Sequence, residues 1–229
     1  MTQAFYVSPE QLIKDRADFA KKGIARGRSV IVQSFADGIA LVADNPSPSL
    51  RKLSEIHDRI AFAAVGKYNE FEELRQAGIR WADVRAYAYD RTDVTGRGLA
   101  SIYSQLMASG FTSKAKPYEV ELVVAEVGAT PEQDHLFKLG YDGSIVDQEN
   151  SVVMGGNADE VSAKLDLPRA DATLSEVIQQ AYSALGSPAL LEVGLLQRPS
   201  SLRPAPVGQH RCFTRLEPDQ VQELLGESA

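Results

Sequence analysis

The stretch from Gly27 to Asn45, GRSVIVQSFADGIALVADN, constrains the fold more than any other part of the chain. Two apolar runs, Val30 to Phe35 and Ile39 to Ala43, flank Asp37-Gly38. Asp-Gly between such runs is the composition of a tight hairpin turn, because its central positions need backbone angles that Asp and Gly tolerate. The stretch therefore opens a sheet. It also raises a chemical question, since no obvious catalytic signature accompanies it: should something reactive sit at the front edge of this hairpin?

The rest of the chain supplies more elements of both kinds. Ser8-Pro9-Glu10 reads as a helix start, with Ser as N-cap, Pro at the first helical position and an acid in the first turn. Ile13, Ala17, Ala20 and Ile24 then share a narrow stripe, which Gly23 or Gly27 would end. NPSPSLRK is a loop, and Ile60 to Val65 is an apolar run ending at Gly66 that reads as a buried strand. Phe71, Leu74, Gly78 and Trp81 suit a helix, and a second helix starts near Thr95 with Leu99, Ile102, Tyr103 and Leu106 on one face. VELVVAEV, HLFKLGYDGSIVD (turning at Asp142-Gly143) and VVMGG are strands. Asn157 to Leu167 is expected to be helical, and Leu174, Val177, Ile178, Ala181 and Leu185 form the cleanest helical stripe. LLEVGLLQ and RCFTRL read as a last strand pair, followed by a short helix opening at Glu217-Pro218. Strands grouped between helix pairs, with no linker and no repeat, give a layered α+β single domain with sheets inside and helices outside.

Composition excludes several partners. The formal charge is −7 with no long basic run, so phosphate backbones are poorly matched. Cys212 is the only cysteine, so no intramolecular disulfide forms, which fits a reducing compartment. No apolar run approaches the ~20 residues that span a bilayer, and the first residues lack the pattern of a signal peptide. A cytoplasmic location is the expectation.

Few residues specify chemistry by themselves. His57, His135 and His210 lie far apart without metal-ligand spacing and read as surface or edge histidines. Cys212 lies in an apolar strand pattern and reads as a buried structural thiol, because a reactive one needs an electropositive, accessible setting. VMGGNADE reads as a strand-to-helix turn, with no Lys-Ser/Thr to make it a phosphate loop. TGRGLAS is a helix start rather than a dinucleotide fingerprint, and Glu72-Glu73 reads as a solvated pair on a helix. No metal or cofactor is expected. Arg51-Lys52 stands where a loop returns to a strand: a solvated charge, or a lysine that meets a carboxylate from a partner.

The runs SVIVQSFADGIALVADN, LRKLSEIHDRIAFAAVG, AKPYEVELVVAEV and LGYDGSIVDQENSVVMGG, in this order, resemble proteasome core subunits. KDRADFAKKGIARG, YAYDRTDVTGRGLA and KPYEVEL look like the alpha subunits of actinobacterial proteasomes in particular. The resemblance covers nearly the whole chain. It implies a four-layer αββα sandwich of the N-terminal-nucleophile hydrolase type, two antiparallel sheets between helix layers, with an added N-terminal helix. Residues 1–229 then form a single subunit domain: a gate segment at 1–7, the N-terminal helix region at 8–26 and the sandwich at 27–229.

Active members of that fold expose a Thr at the head of the first strand, whose freed amine serves as base for its own hydroxyl, with a Lys and an Asp nearby. By resemblance, Asp44 matches that Asp and Lys52 matches that Lys. Counting back from Asp44 through the turn puts Arg28 at the Thr position. Arg28 offers no nucleophile and keeps its charge. Two escapes are Ser29, freed by cleavage after Arg28 but turned to the other face of the sheet by a one-residue slip, and Thr2, freed by removal of Met1 but far from Lys52.

The resemblance therefore implies a subunit with no catalytic residue of its own, in a threonine-type endopeptidase complex. Its partners would be further copies in a seven-membered ring, proteasome beta subunits, a hexameric ATPase that docks through its C-terminal tails, and unfolded proteins in transit. Lys52 and Gly66 would form the tail pocket. Thr2, Gln3, Ala4, Phe5, Tyr6 and Val7 would be the gate. Phe111, Thr112, Ser113 and Lys114 would form a pore constriction, although here Ser113 and Lys114 replace two glycines of the family's Tyr-Gly-Gly run and Glu119 replaces the Gly after Tyr118. The alternatives are a processed, active threonine or serine peptidase and a standalone small-molecule hydrolase on the same fold.

Overall fold

Alternation along the strands decides the layers. In the first strand, β1 (Val30–Phe35), Val30 and Val32 face one way while Ile31 and Phe35 face the other, and all four are buried. The same split holds in β2 (Gly38–Asp44), where Ile39, Leu41 and Ala43 oppose Ala40 and Val42. Strands buried on both faces read as continuous apolar runs, which is why the hairpin shows no polar alternation.

The computed structural model describes residues 8–165, 171–198 and 211–226. The chain runs through α1 (Pro9–Ile24), the β1–β2 hairpin, β3 (Leu53–His57), β4 (Ile60–Gly66), α2 (Tyr68–Ala88) and α3 (Gly96–Ser113). Then come β5 (Val120–Glu126), β6 (His135–Leu139), β7 (Ile145–Gln148), β8 (Ser151–Met154), α4 (Ala158–Ala163) and α5 (Leu174–Ala184). The described chain closes with β9 (Leu191–Gln197), β10 (Phe213–Arg215) and α6 (Pro218–Leu225). One five-stranded sheet has the order β10-β9-β2-β1-β8 and the other β3-β4-β5-β6-β7, with every paired neighbour antiparallel.

Three apolar clusters bind four layers. The middle cluster joins Val32, Leu41 and Leu196 of the first sheet to Leu53, Ala63 and Val123 of the second. A second packs α2 and α3, through Leu74, Leu99 and Tyr103, on Phe62, Leu122 and Phe137. A third packs α5 and its neighbours, through Val177, Ile178 and Ala181, on Ile31, Val42 and Leu195. The result is the αββα sandwich expected of the sequence, with α1 added.

The termini of elements follow local chemistry. The Ser8 side chain accepts from Gln11 N–H and caps α1, and Thr95 caps α3 in the same way. Thr173 and Glu176 form a reciprocal capping box on α5. Three expectations need correction. Ala20 and Ile24 are buried, but Ile13 is 56% exposed, so only the C-terminal half of the α1 stripe is covered. Neither Gly23 nor Gly27 caps α1, whose C-cap is Ala25; a Cβ at Gly23 would lie 2.2 Å from the Glu119 carboxylate, so that glycine serves close packing. The helix expected from Asn157 to Leu167 runs from Ala158 to Ala163 with Lys164 as its C-cap, and residues 166 and 167 of that span lie outside the described residues.

Leu41 is fully buried in the middle cluster. Leu41→Ala should therefore cost about 2–5 kcal/mol, read as a lower denaturant midpoint with an unchanged slope.

Candidate functional site

The hairpin and the loop after it converge on one corner of the sandwich. Arg28 lies just ahead of β1 and Asp44 ends β2; Asp44 N–H donates to Ser29 C=O at 3.2 Å, extending the hairpin ladder to this point. The Arg28 guanidinium donates through Nη1 to both Asp44 carboxylate oxygens at 3.1 Å. Lys52 arrives from the other sheet, one residue before β3. Its Nζ donates to the backbone carbonyls of Arg28 at 2.8 Å and Asp44 at 3.0 Å. The three residues singled out in the sequence are thus brought together, and Lys52 bridges the sheets.

What stands at the head of the first strand is a guanidinium paired with a carboxylate. Such a group neither attacks a carbonyl nor gives up its proton at working pH. Ser29 does not replace it. It is buried, shares the face of Ile31 that packs toward the outer helices, and lies against Gly155.

Burial pushes the Lys52 ammonium down to about 8; attraction from Asp44 and Glu192 works against this, and Arg28 adds repulsion. Lys52 is therefore not the solvated loop charge that its neighbourhood allowed. Its backbone is also held, because Glu192 of β9 accepts from Lys52 N–H at 2.9 Å and Leu53 N–H at 3.3 Å.

Gly66 ends β4 with φ +117°, and a Cβ there would lie 2.0 Å from Glu119 C=O. Only glycine fits both the angle and the approach. It lines an open depression of about 520 Å³, together with Lys22, Arg26 and Gly27 from the end of α1 and the turn after it, and Lys67 and Glu119 opposite. Lys52 is not among the walls. It sits beside them just ahead of β3, where its C=O accepts from Ala64 N–H two residues before Gly66. On the far side, Lys116 pairs with Glu70 and with Glu119 (2.8 Å), and Glu70 accepts from Glu119 N–H at 2.7 Å. Lys67 stands 4.0 Å from each of these carboxylates.

Phe111, Thr112 and Ser113 form the last turn of α3, and Lys114 is its C-cap. Arg16 of α1 donates to the C=O groups of Phe111 and Lys114 at 2.7 Å each, a cation at a helix C-terminus. The Phe111 ring packs on Tyr141 at 5.7 Å. The proposed constriction is therefore a helix end tied to α1. The gate residues Thr2, Gln3, Ala4, Phe5, Tyr6 and Val7, and His210, lie outside the described residues.

Elsewhere one expectation fails. His57 is buried, 6% exposed, because a register shift between Glu55 and His57 turns it inward, and burial pushes its imidazole below the ordinary value. Cys212 is buried and its thiol is pushed up by desolvation, as a structural cysteine should be. Gly156 packs where a Cβ would lie 2.1 Å from Ala25 C=O, so the VVMGG turn serves close backbone approach. Among the described residues no group of His, Cys, Asp or Glu could hold a metal, and no helix is long and apolar enough to cross a membrane.

A family model described as proteasome subunit matches residues 24–189. The chain belongs to the proteasome subunit family. Relatives named proteasome subunit alpha align along the whole chain. The one from Paenarthrobacter aurescens (strain TC1) is 57% identical over 238 residues, covering 100% of both chains. That of Pseudarthrobacter chlorophenolicus is 56% identical, covering 98% of this chain and 100% of the relative. That of Kineococcus radiotolerans is 61% identical over 193 residues, 84% of this chain and 81% of the relative. This member of the proteasome family is of the alpha type found in actinobacteria.

Sequence reading missed Glu192, Asn45 and Arg215 behind Lys52, and Lys22, Arg26 and Lys67 in the depression. Glu192 carried one signal: an acid inside the apolar run LLEVGLL has to be paired when it is buried. The basic wall had none, since its residues come from distant segments. Gly66→Ala should strain the β4 end by about 1–3 kcal/mol, seen as a lower Tm, whereas Gly186→Ala, with open space around it, should lose less.

Proposed function

We propose that the chain is a ring-forming alpha subunit of the proteasome core with no catalytic centre of its own. Seven copies form an outer ring on the rings of beta subunits, in a cytoplasmic threonine-type endopeptidase complex. The single domain of residues 1–229 carries three tasks: residues 1–7 gate the pore, Phe111 to Lys114 narrow it, and Lys52 with Gly66 receives the C-terminal tails of a hexameric ATPase. Unfolded proteins then pass through the ring to be degraded.

The observation that carries this reading is the Arg28–Asp44 pair at the head of the first strand. A hydrolase of this fold needs a hydroxyl nucleophile there, and a paired guanidinium supplies none. The processed-peptidase alternative would require Ser29, whose buried side chain faces away from the corner. Tail docking is supported by Lys52 and the depression beside it. An ammonium meeting a terminal carboxylate in a partly dry groove forms a charge-assisted hydrogen bond, and Lys22, Arg26 and Lys67 add positive charge to the adjoining wall. Ligand preference for one gate state then biases the pore open.

Two experiments on particles assembled with beta subunits test the reading. Lys52→Ala should leave particle size unchanged while tail affinity falls about tenfold to a hundredfold, the loss of one charged hydrogen bond; intact ATPase stimulation would remove the pocket assignment. Deleting residues 2–7 should raise the rate of small-peptide hydrolysis, and an unchanged rate would remove the gate.

A further inference from the structure

Glu192 is a carboxylate that packing alone does not require. It lies on β9, between half-buried Leu191 and buried Val193, and is itself only 4% exposed. Both its oxygens are occupied. Oε2 accepts from Asn45 Nδ2 at 2.7 Å and Lys52 N–H at 2.9 Å. Oε1 accepts from Leu53 N–H at 3.3 Å and from the Arg215 guanidinium. Two of its donors are clamps in their own right: Arg215 also donates to Leu53 C=O at 2.7 Å, and Asn45 to Leu50 C=O at 2.7 Å. The loop from Asn45 to Lys52, with two prolines and few ladder bonds to hold it, is thus seated on one carboxylate of the opposite sheet.

We propose that Glu192 is the positioning residue for Lys52: from the first sheet it fixes the backbone at the start of β3 and holds the lysine charged in the corner. The proposal rests on the docking reading for its consequence, but not for its geometry. The charged groups facing Lys52 are Arg28 ahead of β1, Asp44 on β2, Glu192 on β9 and, through Glu192, Arg215 on β10; Arg51, next in the chain, is exposed. Asp44 and Glu192 favour the ammonium, whereas burial and Arg28 disfavour it, and the balance leaves it titrating at about 8. A carboxylate tail binds the ammonium and not the amine, so docking weakens as pH rises through that range.

Removing the charge of Glu192 without its shape should lower the point at which Lys52 loses its proton. Removing Arg215 should do the reverse, because Glu192 then acts on Lys52 without a competing cation. Opposite shifts from two neighbours are not what general loosening of the corner would give.

The test uses assembled particles. Trace acetylation of Lys52 across pH, followed by mass spectrometry, reads its protonation, and a fluorescent synthetic peptide carrying the ATPase C-terminal residues with a free carboxylate reads docking. In Glu192→Gln the labelling curve should move about one unit to lower pH, with peptide affinity at pH 7.5 down about threefold as the charged fraction of Lys52 falls. In Arg215→Met the curve should move to higher pH. Curves that coincide with wild type in both variants, or that move the same way in both, overturn the proposal, and Arg215→Met decides alone should Glu192→Gln not assemble. Opposite shifts in the labelling curves with peptide affinity unchanged by Glu192→Gln and by Lys52→Ala would uphold the positioning role and refute the docking reading.

Discussion

A sheet with helices on one face and a second sheet on the other has no side that tolerates an unmatched charge. Both sheets here are in that position, and the ionised groups buried at their edges are paired. Asp134 and Arg198 meet through two hydrogen bonds of 2.8 and 3.0 Å with both side chains almost fully buried. Glu192 receives four donors. Breaking such a set by removing one partner is costlier than never having built it, so these clusters fix how the strands end and where the loops return.

The corner formed by Arg28, Asp44 and Lys52 is a consequence. The hairpin delivers Arg28 and Asp44 side by side, and the other sheet delivers Lys52 across from them. In the family's active members this arrangement is implied to surround a nucleophile. In this chain the place is filled by a guanidinium neutralised against Asp44, and Lys52 is bonded to two backbone carbonyls. On the proposed reading the scaffold of a catalytic site is retained and its chemistry replaced by charge, beside a depression to which Lys22, Arg26 and Lys67 bring positive charge.

How much of this was legible in the sequence follows from range. The Asp37-Gly38 hairpin, the α5 stripe and the capping of α1 and α3 depend on residues a few positions apart, and local pattern finds them. The α1 stripe was half right because periodicity tells which residues share a face and not whether anything covers it; Ala20 and Ile24 meet the sheet and Ile13 does not. His57 escaped for a similar reason, since a bulge in β3 changes which way a side chain turns. Arg28 came from counting against a resemblance, whereas Glu192 could be seen only as an acid out of place. Asn45 and Arg215 reach it through the pairing of β2 and β10 with β9, and Lys52 only when the two sheets close on each other.

The central claim is that the strand that would begin an active site begins nothing of the kind here. Intact-mass spectrometry of the chain recovered from particles co-assembled with beta subunits tests it most directly. The account predicts a chain that keeps the residues ahead of Arg28, including α1. A mature chain beginning at Ser29, with its α-amine free, would contradict it.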